Sequence, residues 1–124
     1  MKTSELKGAA LDWAVAECEG WEIVPNTHRF NEELIMFKKG EECQWFVDYD
    51  PSTDWAQGGP IIERERIAVE FVRRDEVDSA LVVWSANKYG TGYDEQGPTP
   101  LIAAMRCYVT SRLGDEVEIP EELK

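Results

Sequence analysis

Asp54-Trp55-Ala56-Gln57-Gly58-Gly59-Pro60-Ile61-Ile62-Glu63-Arg64-Glu65 and Gly97-Pro98-Thr99-Pro100-Leu101-Ile102-Ala103-Ala104-Met105-Arg106 each set glycine and proline ahead of an apolar run. Each reads as a fixed turn that launches an ordered element, and fixed turns on a scaffold are where small domains often keep function. In the first, Gly58-Gly59-Pro60 predicts a turn, with Pro60 opening a short helix over 61–66. The β-branched pair Ile61 and Ile62 leaves a strand as the alternative. In the second, Thr99 predicts a helix cap and Pro100 the first helical residue. Leu101, Met105, Tyr108 and Arg112 then fall on one face, with Ile102, Val109 and Leu113 beside it, and Gly114 ends the helix.

Outward from these segments the pattern alternates. Residues 4–18 predict a helix capped by Thr3 or Ser4 and terminated at Gly20, with Leu6, Ala9, Ala10, Trp13, Ala14 and Ala16 near one face. Trp21 to Val24 alternates up to Pro25, the pattern of a short edge strand. Leu34 to Phe37 and Gln44 to Val47 flank a polar stretch centred on Gly40, which predicts a hairpin. Ile67 to Val72 reads as a strand or a helix-to-strand transition, Leu81 to Ala86 as a buried strand, and Asn87 to Pro100 as a long loop. The tail, 115–124, is acidic and is expected to be partly frayed, with Val117 and Ile119 docked. The order predicts an α+β fold in a single domain over 1–124. Its sheet is mostly antiparallel, with an N-terminal helix, a short central helix and a C-terminal helix.

Composition narrows the function classes. The chain has 124 residues, 43% of them hydrophobic and five of them tryptophan, enough for a core and unlike a disordered chain. Apolar runs are only a few residues long, so no membrane span is expected, and the N-terminus has no signal-peptide pattern; a cytoplasmic location follows. Cys18, Cys43 and Cys107 form no Cys-x-x-Cys pair and read as free thiols, and His28 is the single histidine. No metal and no cofactor are therefore expected. The formal net charge of −12 repels phosphate backbones at long range, so no direct nucleic-acid partner is expected.

Residues 49–65, the segment Gly97 to Pro120 and the opening stretch Thr3 to Ala16 together resemble the phage NinX-like family, small proteins of tailed bacteriophages and prophages. Three motifs agree in order, and residues 21–47 and 68–93 carry less of the likeness. The resemblance implies a phage or prophage accessory protein and brings no assigned catalytic residue. Members of the family more often have a glycine near position 66, where this chain has Arg66, so the turn there is expected to be less permissive.

The candidate binding residues are Asp54, Trp55, Gly58, Gly59, Pro60, Glu63, Arg64, Tyr89, Tyr93 and Thr99. Backbone amides of the Gly58-Gly59-Pro60 turn suit an anion if they open a helix, although a packing turn is the plainer reading. Asp54, Glu63 and Arg64 suit acid–base work only if the fold gathers them, and alternating Glu63-Arg64-Glu65-Arg66 is more often a solvated face. Trp55, Tyr89 and Tyr93 lie in loop-like contexts and suit partner anchoring, whereas Trp84 reads as core. The preferred function is a non-enzymatic module that binds a host or phage protein with a basic surface, with a homodimer also plausible. The alternatives are a small enzyme or ligand binder using Asp54, Glu63 and Arg64, and an acidic mimic of DNA.

Overall fold

The computed structural model describes residues 1–25, 34–74, 76–77 and 81–123. Within them run β1 (Glu22–Pro25), β2 (Leu34–Phe37), β3 (Gln44–Trp45), β4 (Ile67–Arg74), β5 (Val82–Lys88) and β6 (Asp94–Gly97). The α-helices are α1 (Gly8–Cys18), α2 (Trp55–Glu65) and α3 (Pro100–Leu113), and short 3-10 turns occupy Thr3–Glu5, Phe46–Asp48 and Glu121–Leu123. The strands form two antiparallel sheets, ordered β1-β2-β3 and β4-β5-β6. The fold is α+β, with N-terminal, central and C-terminal helices, as the sequence predicts.

α3 organises the larger core. Thr99 Oγ1 accepts the Ile102 N–H at 3.1 Å, Pro100 stands in the first turn, and Gly114 closes the helix. The helix lies across the second sheet and against α1. Tyr108, Met105, Leu6, Leu11 and Val15 are all fully enclosed there, and each such apolar side chain stabilises the fold by roughly 1.5–3 kcal/mol. A smaller core gathers Ala16, Met36 and Phe46, with Trp21 and Ile23 packed on it. Trp13 touches both clusters. α1 is thus covered on two sides, which explains why Ala10, Leu11, Asp12, Ala14, Val15 and Ala16 are all buried while Ala9 is exposed. A reading by single-stripe periodicity underestimates such a helix.

Four boundaries differ from the sequence reading. The first helix begins at Gly8, because Thr3–Glu5 forms a separate turn and Leu6 and Lys7 are extended. Its end follows the expectation: Gly20 N–H donates to Glu17 O at 3.1 Å and Trp21 N–H to Ala16 O at 3.0 Å, a Schellman closure. The second strand of the first hairpin stops at Trp45, where Phe46–Asp48 coils into a 3-10 turn. The stretch read as a long loop contains β6, paired with β5 over Asp94–Gly97. The fourth and largest difference concerns α2.

Gly58, Gly59 and Pro60 are not a turn. They lie inside an eleven-residue helix that starts at Trp55. Asp54 sets that start: its Oδ1 accepts the Ala56 N–H at 2.9 Å, while its carbonyl takes the Gly58 N–H at 2.9 Å. A cap four residues ahead of the glycines overrides their local preference, and Pro60 is carried within the helix on its exposed side. Gly58 is needed for close approach, since a Cβ there would press into the Pro51 carbonyl oxygen and lie 2.6 Å from Leu101 Cδ2. The helix ends on Arg66 at φ 54° and ψ 52°, the one positive-φ residue other than glycine among those described. The expectation of a less permissive turn at this position therefore has a geometric basis.

The two ends of the described chain meet. Lys2 and Glu116 form an isolated antiparallel bridge, Thr3 N–H donates to Asp115 O at 2.8 Å, and Val117 N–H donates to Met1 O at 2.9 Å. Thr3 Oγ1 donates to Gly114 O at 2.7 Å, and Val117 and Ile119 are buried in the main core. His28, the residue weighed for a metal site, lies outside the described residues.

Candidate functional site

α2 distributes the predicted site residues along its length instead of gathering them. Asp54 and Trp55 stand at its start, and Glu63 and Arg64 in its last turn. Ten residues separate Asp54 from Arg64, so about 15 Å of helix lies between them. Asp54 is committed to capping, and its second oxygen accepts Gln57 Nε2 at 3.2 Å. Gln57 also donates to Asp48 O and Asp50 Oδ1 and accepts the Asp50 N–H, which ties the 48–54 segment to the helix. The expected anion pocket on Gly58-Gly59-Pro60 is not formed: these residues lie inside the helix, and a carboxylate already occupies its true N-terminus.

Arg64 belongs to the most developed polar centre in the molecule. It grips Glu19 bidentately at 3.0 and 2.9 Å, donates Nε to Glu65 Oε2 at 2.8 Å, and donates Nη2 to Tyr108 Oη at 3.2 Å. Tyr108 Oη in turn donates to Glu19 Oε2 at 2.9 Å. Glu65 also accepts from Lys88 Nζ at 3.0 Å and Arg112 Nη2 at 3.3 Å. The Arg64 and Arg112 guanidiniums lie 5.7 and 5.6 Å from the Tyr108 ring centroid. One network thereby fastens the ends of α1, α2, β5 and α3 together.

The charges explain the shifts. Burial pushes the Glu65 carboxyl up, but the hydrogen bonds from Arg64, Lys88 and Arg112 overcome it and hold it at about 2. Burial, reinforced by the Glu19 carboxylate, drives the Tyr108 phenol above its ordinary value. Burial pushes the thiols beside these elements up, Cys18 to about 12 and Cys107 to about 11, which disfavours the thiolate form. Every charged group in this network already has a close partner of opposite sign, the arrangement of a structural clamp.

The aromatic candidates are exposed, as expected for anchors. Trp55 is 56% exposed, Tyr89 77% and Tyr93 43%. They do not form one patch. Trp55 is the first residue of α2. Tyr89 lies beyond the other end, its N–H donating to Arg66 O at 3.2 Å. Tyr93 closes the same β5–β6 turn, its carbonyl accepting the Lys88 N–H. Thr99 serves as the cap of α3. Trp84 is half-buried, edge-on to Phe71 at 5.6 Å.

A second polar feature escapes sequence reasoning. Asp12 is buried in α1, its Oδ1 accepting the Ser52 N–H at 2.9 Å across 40 positions of sequence. Burial raises its carboxyl, Ser52 pulls it back and Asp50 adds an upward push, leaving it at about 6. The Ser52 hydroxyl is enclosed beside the same carboxylate. Asp12 lines a cavity with Tyr49, Phe46 and Leu123. The available signal was a carboxylate set between Leu11 and Trp13, in a helix whose one other charged residue is Glu17. Nothing in sequence indicates that Ser52 reaches it.

Among the described residues no group of three His, Cys, Asp or Glu could hold a metal ion, and no helix is long and apolar enough to cross a membrane. The chain belongs to the family described as Bacteriophage P22, NinX, whose model matches residues 2–112. That span takes in α1, α2, both sheets and all but the last residue of α3, and it stops short of the tail that docks Val117 and Ile119. Membership makes this a phage accessory protein. No curated protein matches the chain.

Proposed function

We propose that this NinX-family protein is a non-enzymatic recognition module that binds a basic surface of a phage or host protein in the bacterial cytoplasm. The observation that carries the reading is the exposure of Trp55, Tyr89 and Tyr93 on backbone fixed by helix ends and a tight turn. Large aromatic side chains presented this way lose little entropy on binding and act as anchors. The net charge of −12 selects a basic partner and speeds encounter with it. The dispersal of Asp54, Glu63 and Arg64 along α2 supports recognition over catalysis, because acid–base work needs such groups within reach of one reacting atom.

Because the aromatics occupy two ends of α2, the test treats them separately. Affinity capture from phage-infected cells is run with the wild-type protein, with Trp55→Ala, and with the double variant Tyr89→Ala, Tyr93→Ala. All three are exposed sites, so each variant should keep the parent melting temperature. A stoichiometric partner lost from one variant, and released by added salt from the parent, is the expected result. Capture that is identical across all three proteins sinks the reading.

A further inference from the structure

We propose that the cavity between α1, the 46–53 segment and the Glu121–Leu123 turn binds a small organic cation, an amine carried on an aromatic or alkyl body. The cavity measures about 460 Å³, within the usual range for small-molecule sites, roughly 300–1,000 Å³. Leu34, Phe46, Val47 and Leu123 give it apolar walls, and Tyr49 adds a second aromatic residue to the lining. Its charged lining groups are Asp12, Asp50 and Glu122, with no Lys, Arg or His among the described lining residues. An apolar wall combined with carboxylates alone matches a ligand that is greasy over most of its surface and positive at one end.

One field opposes this sign. Gly8 and Ala9 also line the cavity, and α1 has no side-chain cap, so its N-terminal amides face that region. A helix N-terminus is worth roughly half a positive charge, which three carboxylates outweigh. The polar end is also fixed in place. Asp50 is tied to Gln57, and Asp12, 5% exposed, is held by the Ser52 N–H. An ammonium brings three donors to these lining carboxylates. The inference stands apart from the recognition reading, since it involves neither Trp55 nor the Tyr89–Tyr93 turn.

The test is a titration of the isotope-labelled full chain, followed by amide NMR, with tryptamine and phenethylamine as cations. 3-Methylindole serves as the neutral control and indole-3-acetate as the anion. Saturable shifts at Gly8, Ala9 and Thr53 are expected for the amines, with at least tenfold weaker binding of both controls. Asp12→Asn should weaken amine binding at least tenfold, and Ala9→Phe, on the exposed side of the lining, should block it. Equal binding of amine, neutral and anion overturns the proposal, as does the absence of saturable shifts. If Asp12→Asn does not fold, Ala9→Phe decides alone, and amine binding that survives it overturns the site.

Discussion

The segments 54–65 and 97–106 use the same three parts in different order, and the order decides what each part does. Both have a polar cap, Asp54 and Thr99, and both have a glycine pressed against a neighbour. Gly58 meets Pro51 and Leu101, and a Cβ on Gly97 would lie 2.8 Å from the Ala103 nitrogen. Both have a proline. In α3 the glycine precedes the cap and the proline follows it, so Pro100 sits where its missing N–H is harmless. In α2 the cap comes first, and glycine and proline are swept inside the helix. There Pro60 removes the bond that the Ala56 carbonyl would accept, on an exposed face where water can replace it. The lesson is that a cap outranks a glycine-proline pair when it lies within one turn upstream.

Three sets of substitutions would break or sharpen that comparison. The largest effect is expected at the pressed glycines. Gly58→Ala and Gly97→Ala should each cost roughly 2–3 kcal/mol through overpacking against backbone atoms. Gly59→Ala, with nothing within 4 Å of its added Cβ, should gain about 0.5–1 kcal/mol from helix propensity. Urea denaturation of the three variants measures this, and equal losses at Gly58 and Gly59 would remove the packing role.

Next comes the point where the far ends of the two helices are joined, Glu65 to Arg112. The Glu65 carboxyl lies below its ordinary 4.5 in the folded protein, at about 2. Its contribution is therefore fully present above pH 4.5 and is lost as pH falls toward 2. With two half-exposed arginines among its partners, the clamp is worth roughly 1–3 kcal/mol. Melting temperatures from pH 7 to pH 2.5 should fall more steeply in the wild-type protein than in Glu65→Gln. Parallel curves would mean that the clamp contributes nothing.

The smallest effect distinguishes the prolines. Pro60→Ala should raise stability by about 1 kcal/mol by restoring a helix bond, while Pro100→Ala should lower it by about 0.5 kcal/mol. Calorimetry of both variants gives the signs, and a loss at Pro60 would show that the interior proline is needed.

Much of the fold was legible locally. α3 was readable from Thr99 to Gly114 because its cap, proline, apolar face and terminating glycine agree. The edge strand and first hairpin were readable from alternation around Pro25 and Gly40. β6 was not, because Asp94-Glu95-Gln96-Gly97 has no apolar alternation. It is a strand through its partners: β5 on one side, Ser85 to Asp94 and Thr110 to Glu95 through side chains, and Arg106 Nη1 on the Gln96 carbonyl. The site followed the same division. Exposure of Trp55, Tyr89 and Tyr93 could be inferred from their loop-like contexts. The Arg64–Glu19 pair spans 45 positions and Ser52–Asp12 spans 40, and only the packed fold brings such groups together.

The bridge between Lys2 and Glu116 has a consequence for how the protein is made. Leu6 and α1 are synthesised about a hundred residues ahead of Val117 and Ile119, the strap that shares their core. A nascent chain halted within α3 would hold its N-terminal helix against an unfinished core. Closure of the core thus waits on residues 117–119, and a product truncated before them would present uncovered apolar surface to the quality-control proteases of the cell.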